Sequence, residues 1–177
     1  MAGGNQGYGS RSWRDVFREA PVAAVLATWF GSGFLPVAPG TWGSLFALPF
    51  AEAAFRAGGL PALSAFAVLV SLAGIPSAGA VARLRGQGDP SQVVIDEVAG
   101  QAISVFPVYA LAGTASPLVF WSLVALSFLL FRVVDVVKPG LIGRAESLPG
   151  GLGVMADDLL GGLLVAVLFA GTLLALR

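Results

Sequence analysis

Five apolar runs, bounded by glycine, proline or charged residues, leave this chain little choice of fold. They cover residues 41–56, 60–83, 93–111, 117–137 and 155–176, most of them close to the roughly 20 residues that a helix needs to cross a hydrocarbon core. The first begins behind Pro39-Gly40 and stops at Gly58-Gly59, and the fourth ends at Lys138-Pro139, which are helix start and stop signals. Pro49, Pro76 and Pro107 fall inside the runs, where membrane helices tolerate them as kinks. Composition points the same way: 56% of residues are hydrophobic and 11% charged, whereas a soluble domain carries roughly 25% charged residues. The polar surface that would cover a globule is missing. The expected fold is all-α, a multi-helical integral membrane bundle of about five spanning helices with a short N-terminal helix.

Residues 1–10 are glycine-rich and expected to be disordered. In residues 11–19, Trp13, Val16 and Phe17 recur at helical spacing among charges, the pattern of a short helix lying on a membrane surface. Residues 20–30 are apolar but too few to span, so this segment is half-buried or re-entrant. It runs into a glycine- and proline-rich motif instead of a cleavage site, and the N-terminus is expected to be retained. No linker composition divides the remainder of the chain. The expected organisation is a flexible segment and interfacial helix over 1–20 and one membrane-embedded domain over 21–177.

Several chemistries are excluded by residue type. The formal net charge is zero, which gives no global attraction to nucleic acid. There is no cysteine and no histidine, which removes disulfides, thiolate nucleophiles, the common zinc sites, Ser-His-Asp triads and phosphohistidine mechanisms. Whatever chemistry exists must run on Asp, Glu, Lys, Arg, Ser and Thr. Hard oxygen ligands of this kind favour magnesium, manganese or calcium.

Two segments echo each other: Ile95-Asp96-Glu97-Val98-Ala99-Gly100 and Ala156-Asp157-Asp158-Leu159-Leu160-Gly161. Each heads a hydrophobic run with a carboxylate pair, and in each the first acid and the glycine are four residues apart. On a helix they share a face, and the missing side chain lets another helix approach. Tracing the runs back and forth across the membrane brings Asp96, Glu97, Arg132, Asp135, Lys138, Asp157 and Asp158 to one face. Arg83, Arg85, Lys138 and Arg144 lie in short loops on that side, while Arg56 and Arg177 lie opposite. The positive-inside rule makes the acid-bearing side cytoplasmic, and a re-entrant residue 20–30 segment keeps Arg11, Arg14 and Arg18 there too.

Each constellation has a bland reading beside the functional one. Carboxylates at a helix start complement the helix dipole and cap free amides. Arg132 and Asp135 can form an ion pair that anchors a helix end. Ionisable groups in membrane helices are costly, however, and mark functional sites. Carboxylates for a divalent ion, cations for phosphate oxygens and a carboxylate to orient water are together what phosphoryl transfer from an ester needs. The third element, GSGFLPVAPGTWGS over residues 31–44, permits close backbone approach and offers hydroxyls and free amides for an anion. It lacks the spacing and lysine of a nucleotide P-loop and also suits a tight turn. Gly150-Gly151-Leu152-Gly153 reads as a flexible turn or a substrate-facing loop.

The succession GSGFLPVAPGTWGS, IDEVAGQ, FRVVDVVKP and GGLGVMADDLLGG resembles the phosphatidylglycerophosphatase A family over residues 28–164. The resemblance implies a magnesium-dependent, multi-pass phosphatase of the bacterial inner membrane, with its active site on the cytoplasmic face. Its expected reaction converts phosphatidylglycerophosphate to phosphatidylglycerol and phosphate, with membrane lipid as its medium and no nucleic-acid partner. Asp96, Glu97, Asp157 and Asp158 would then surround one or two magnesium ions. Asp135, Asp157 and Lys138 are the expected catalytic residues, Asp135 as a further ligand or the base, and Asp135 or Asp157 as nucleophile if an aspartyl-phosphate forms. Arg132, Lys138, Ser32, Thr41 and Gly40 would hold the phosphate. The competing readings are a divalent-cation transporter or channel with carboxylate ion sites, which predicts acids near mid-membrane, and a scaffold whose charged ends only fix topology.

Overall fold

The computed structural model describes residues 10–112 and 115–175, and every regular element among them is helical. In chain order these are α1 (Trp13–Glu19), α2 (Pro21–Ala27), a 3-10 turn (Ser32–Phe34), α3 (Pro39–Arg85), α4 (Ile95–Leu111), α5 (Pro117–Val137), α6 (Leu141–Ala145) and α7 (Gly151–Ala175). By length and apolarity α3, α5 and α7 can each cross a membrane. The disorder expected over residues 1–9, the turn expected at 113–114 and the expected helix end at 176 lie outside the described residues.

The two runs expected at 41–56 and 60–83 are the limbs of α3. Helical dihedrals persist through Pro49 and Pro76 and fail at Gly58 and Gly59, where Gly59 takes φ +63°, a conformation that favours glycine. Phe50 and Phe66 stack with ring centroids 6.4 Å apart. Along a straight helix, 16 residues would separate them by about 24 Å, so α3 folds back on itself at the glycine pair. Both ends of α3 therefore meet the start of α4 and the start of α7. A Cβ on Gly43 would press on Val94, and one on Gly74 would press on Met155. Elements alternate in direction from there, as the runs predict, and this common end is the polar end of the bundle.

Residues 20–34 enter and leave at that same end. Thr28 closes α2 by hydrogen bonding to Ala24, and the seven residues of α2 rise only about 10 Å. Trp29 reaches in to pack edge-on against Phe50 at 5.1 Å. Three successive left-handed residues, Trp29, Phe30 and Gly31, then reverse the chain, and Phe34 returns to meet Trp13 of α1 at 4.9 Å. The segment is thus re-entrant. Helix α1 starts in a capping box between Ser12 and Asp15 and buries Val16, which holds it on the bundle through one face.

Helix α4 is the axis of the molecule. Most of its residues are buried, while Leu126, Leu129 and Val133 on α5 and Leu163, Val167 and Leu168 on α7 are exposed. Exposing such side chains to water costs roughly 25 cal/mol per Å², and their place is against lipid. Helix α4 packs closely on α7: a Cβ on Gly162 would collide with the backbone of Gly100, and one on Gly100 with Asp158 carbonyl and the Phe131 ring. Of the two glycines singled out in the echoing segments, Gly100 makes this approach. Gly161 instead faces Val134 of α5 at an ordinary distance, and its neighbour Gly162 supplies the contact.

Substitution of Gly162 by valine should force α4 and α7 apart and lower stability by about 1–3 kcal/mol or more, read as a lower thermal midpoint in detergent. Gly171→Val, where nothing lies within 4 Å of an added Cβ, should leave the midpoint unchanged.

Candidate active site

The chain enters α4 from a fixed point, because Val94 N–H donates to the carbonyl of Ala27 at 2.8 Å. Asp96 and Glu97 then fall in the first turn of α4, where the helix dipole favours negative charge, and its N-cap residue, Val94, supplies no side-chain cap. Helix α7 starts at Gly151, four residues before the run predicted at 155, so Asp157 and Asp158 sit beyond its first turn. Helix-end electrostatics therefore suits the first pair and does not account for the second. Because α4 and α7 touch through Gly100 and Gly162, their acids converge: Asp96, Glu97 and Asp158 offer carboxylate oxygens all within 4.8 Å of one another. Asp135 of α5 adjoins Asp158.

Two bare carboxylates at that separation repel by about 3 kcal/mol at an effective dielectric near 20. Asp96, Asp157 and Asp158 are also buried, and Asp96 Oδ1, Glu97 Oε2 and Asp157 Oδ1 have no hydrogen-bond partner. A group of orphaned, like-charged oxygens demands a counter-charge. The donors are all hard oxygens, so the set fits a divalent cation of the magnesium type.

Two cations frame the acids. Arg132 Nη1 lies 2.5 Å from Asp135 Oδ2 and 4.0 Å from Glu97 Oε1, and it donates to Ser44 Oγ at 3.4 Å. Beyond the end of α5, Lys138 caps the helix with a left-handed backbone (φ +44°), and Pro139 stops it. Its Nζ donates to Asp157 Oδ2 at 2.6 Å and lies 3.4 Å from Glu146 Oε2. Burial works against the Lys138 charge, but the Asp157 hydrogen bond and the charges of Asp157, Glu146 and Asp135 outweigh it and raise its pKa above the ordinary lysine value. Lys138 is a fixed cation at any physiological pH.

The glycine motif meets the site at one point. A Cβ on Gly40 would strike Glu97 Oε1 and lie 3.2 Å from Arg132 Nη1, so the missing side chain lets the start of α3 rest against that ion pair. Ser44 Oγ donates to Gly40 carbonyl at 2.9 Å. Ser32 is buried and donates to Thr28 carbonyl at 3.3 Å, whereas Thr41 is half-buried beside Gly40 with its amide bonded to Ala38 carbonyl. The structure thus gathers Asp96, Glu97, Asp135, Asp157, Asp158, Arg132, Lys138 and Gly40. It leaves Ser32 engaged with its own turn.

Two acids escaped the sequence reading. Glu146 pairs with Lys138. Asp89, in the loop between α3 and α4, feels Lys138, Asp157, Glu146 and Asp135; loss of water on its protein-facing side raises its carboxyl pKa, Lys138 lowers it, and the three acids raise it further. The available signal was position: both stand in short loops at the polar end, directly before acid-bearing helices.

An oxygen-donor cluster beside two cations, at the polar end of a membrane bundle, defines a membrane enzyme of phosphate-ester chemistry. The chain belongs to the phosphatidylglycerophosphatase A family, whose profile matches residues 25–173. It is 34% identical to phosphatidylglycerophosphatase A of Escherichia coli over 80% of this chain and 78% of that protein. The figures for phosphatidylglycerophosphatase A of Haemophilus influenzae are 35%, 82% and 86%. A Bacteroides thetaiotaomicron protein named "Putative phosphatidylinositol-3-phosphatase" is 36% identical over 86% of this chain and 94% of its own length. No solved structure matches the chain.

Arg132 and Asp135 are largely shielded from solvent, and Arg132→Met would leave Asp135 and Glu97 without a cation, so it should lower unfolding free energy by about 3 kcal/mol; Asp135→Asn leaves Arg132 beside Glu97 and should cost less. Their double variant should lose clearly less than the sum. A denaturation cycle in micelles that closes at zero would make the pair incidental.

Proposed function

We propose that the protein hydrolyses the terminal phosphomonoester of phosphatidylglycerophosphate to phosphatidylglycerol and inorganic phosphate, with magnesium as cofactor, at the cytoplasmic face of a bacterial inner membrane. The observation that carries this reading is the convergence of Asp96, Glu97 and Asp158 within 4.8 Å beside Arg132 and Lys138 in a chain of this family. Asp96, Glu97, Asp157 and Asp158 would hold the metal. When bound, it would neutralise the acids and polarise the phosphate oxygens.

The protein groups divide the remaining work. Lys138, whose partner Asp157 would hold the metal, and Arg132 receive the phosphate oxygens. Gly40 seats the start of α3 against the Glu97–Arg132 pair, so that Thr41 beside it would help hold the phosphate, while Ser32 would have to leave Thr28 carbonyl to join it. Asp135, held by Arg132, orients water, takes its proton as the oxygen attacks phosphorus, and gives that proton to the glycerol oxygen as its bond to phosphorus breaks. The acyl chains stay in lipid, and no diffusion of the lipid out of the bilayer is needed. A cation carrier finds no support in this geometry, since the acids gather at one end of the bundle.

The substrates in the relatives' names share one chemistry: a phosphomonoester on a polyol that is joined through a phosphodiester to diacylglycerol. Purified protein should release phosphate from phosphatidylglycerophosphate only with magnesium, and Asp96→Asn and Asp158→Asn should each lose about 100-fold or more in kcat. Magnesium should also raise the thermal midpoint of the wild type and not that of Asp158→Asn. Preference for phosphatidylinositol 3-phosphate or phosphatidic acid would overturn the substrate assignment.

Orientation is supported by charge. Arg83, Arg85, Lys138 and Arg144 stand at the polar end, and Arg56 at the α3 hairpin opposite. The chain has no cysteine, so single cysteines can report topology. A membrane-impermeant maleimide should label Ser147→Cys in inverted vesicles and Ala57→Cys in intact cells, and the reverse pattern would refute the cytoplasmic placement.

A further inference from the structure

Beside the acid cluster, on its Lys138–Asp157 side, lies an open cavity of about 470 Å³ between the loop that succeeds α3 and the loop that precedes α7. Its size falls among small-ligand sites, roughly 300–1,000 Å³. Asp157 forms part of its wall, and Asp157 is buried with one oxygen on Lys138 and the other, Oδ1, unpartnered. Asp89 and Glu146 stand on the two facing loops, and Arg83 lines the same space from the last turn of α3.

Arg83 differs from the other cations here. Arg132 is paired to Asp135 and Lys138 to Asp157 and Glu146, whereas Arg83 forms no ion pair among the described residues, although acids share its cavity. A cation left free beside a phosphate-ester site is suited to a second anion. Gly86 and Gly88 line the cavity, and a Cβ on Gly88 would meet nothing within 4 Å.

We propose that this cavity is the head-group pocket of the enzyme. It would take the polyol between the two phosphates, with Asp89 and Glu146 accepting from its hydroxyls and Arg83 binding the non-scissile phosphodiester. The proposal rests on the phosphatase reading above and deepens it: specificity for a diester-linked polyol phosphate, as against a bare phosphomonoester, lies in Arg83 and these two loops. A phosphate held at Lys138, whose partner Asp157 lines the cavity, has that cavity as its immediate neighbour, so the two halves of the substrate occupy adjoining spaces. Bidentate guanidinium geometry suits a phosphodiester.

The test compares wild type with Arg83→Gln and Gly88→Trp, the second filling the cavity from a position with open space. With phosphatidylglycerophosphate as substrate, each variant should raise KM at least tenfold and keep kcat within about twofold. The inhibition constant of inorganic phosphate, which engages only the cluster, should not change, and Arg83→Lys should restore part of the loss. Repeating the series with phosphatidylinositol 3-phosphate distinguishes a glycerol from an inositol head group. Unchanged KM in both variants, or an equal loss in kcat and phosphate inhibition, would overturn the pocket while leaving the phosphatase standing. A wild type that hydrolyses no diester-linked polyol phosphate would overturn both readings.

Discussion

The contact of α4 with α7 through Gly100 and Gly162 is the constraint on which the polar end depends. Only where two backbones touch without side chains can Asp96 and Glu97 of one helix reach Asp158 of the other. A side chain at either glycine would push the two helices, and with them the acids, apart. The same closeness makes the cluster unstable as bare anions, because like charges that share a low-dielectric space repel and lose hydration together. Packing that favours the fold thus creates a repulsion that a bound cation would relieve.

Lys138 and Arg132 relieve part of it from α5. Their placement reflects the end of that helix: Arg132 lies one turn before Asp135, and Pro139 forces the chain to leave the helix at Lys138. Arg132 reaches Asp135 and Glu97, Lys138 reaches Asp157 and Glu146, and other carboxylate oxygens stay unpartnered. This half-neutralised state is what a phosphate site requires, since a fully paired cluster would have nothing to offer a ligand. Buried ion pairs contribute little net stability for the desolvation they demand, so their concentration at one end is better explained by chemistry than by folding.

The re-entrant segment and the α3 hairpin bring further groups to the same end. Residues 20–34 dip in and return, and α3 turns at Gly58 and Gly59, so both its termini reach the site. Gly40 arrives against Glu97 from the first limb, and Arg83 arrives at the adjoining cavity from the second. An even number of crossings before α4 is what lets one polar end collect groups from almost the whole chain.

Much of this was legible in the sequence, because helices in a membrane must satisfy their own backbone and announce themselves as long apolar runs. The five runs, the break at Gly58-Gly59, the alternation of directions and the acids and cations of the cluster all stem from that rule. Helix starts were less legible: α7 begins at Gly151 because Gly151 and Gly153 continue a helix once packed against α3 and the preceding loop, although the same glycines read as a turn. Which glycine makes the close approach, Gly162 instead of Gly161, depends on how α7 is rotated against α4 and α5. Asp89, Glu146 and the cavity between their loops belong to no periodic pattern. Sequence alone determined which residues must lie at the polar end, since crossing a membrane fixes depth; only the tertiary structure decided which of them touch, because rotation and tilt are set by side-chain packing between distant helices.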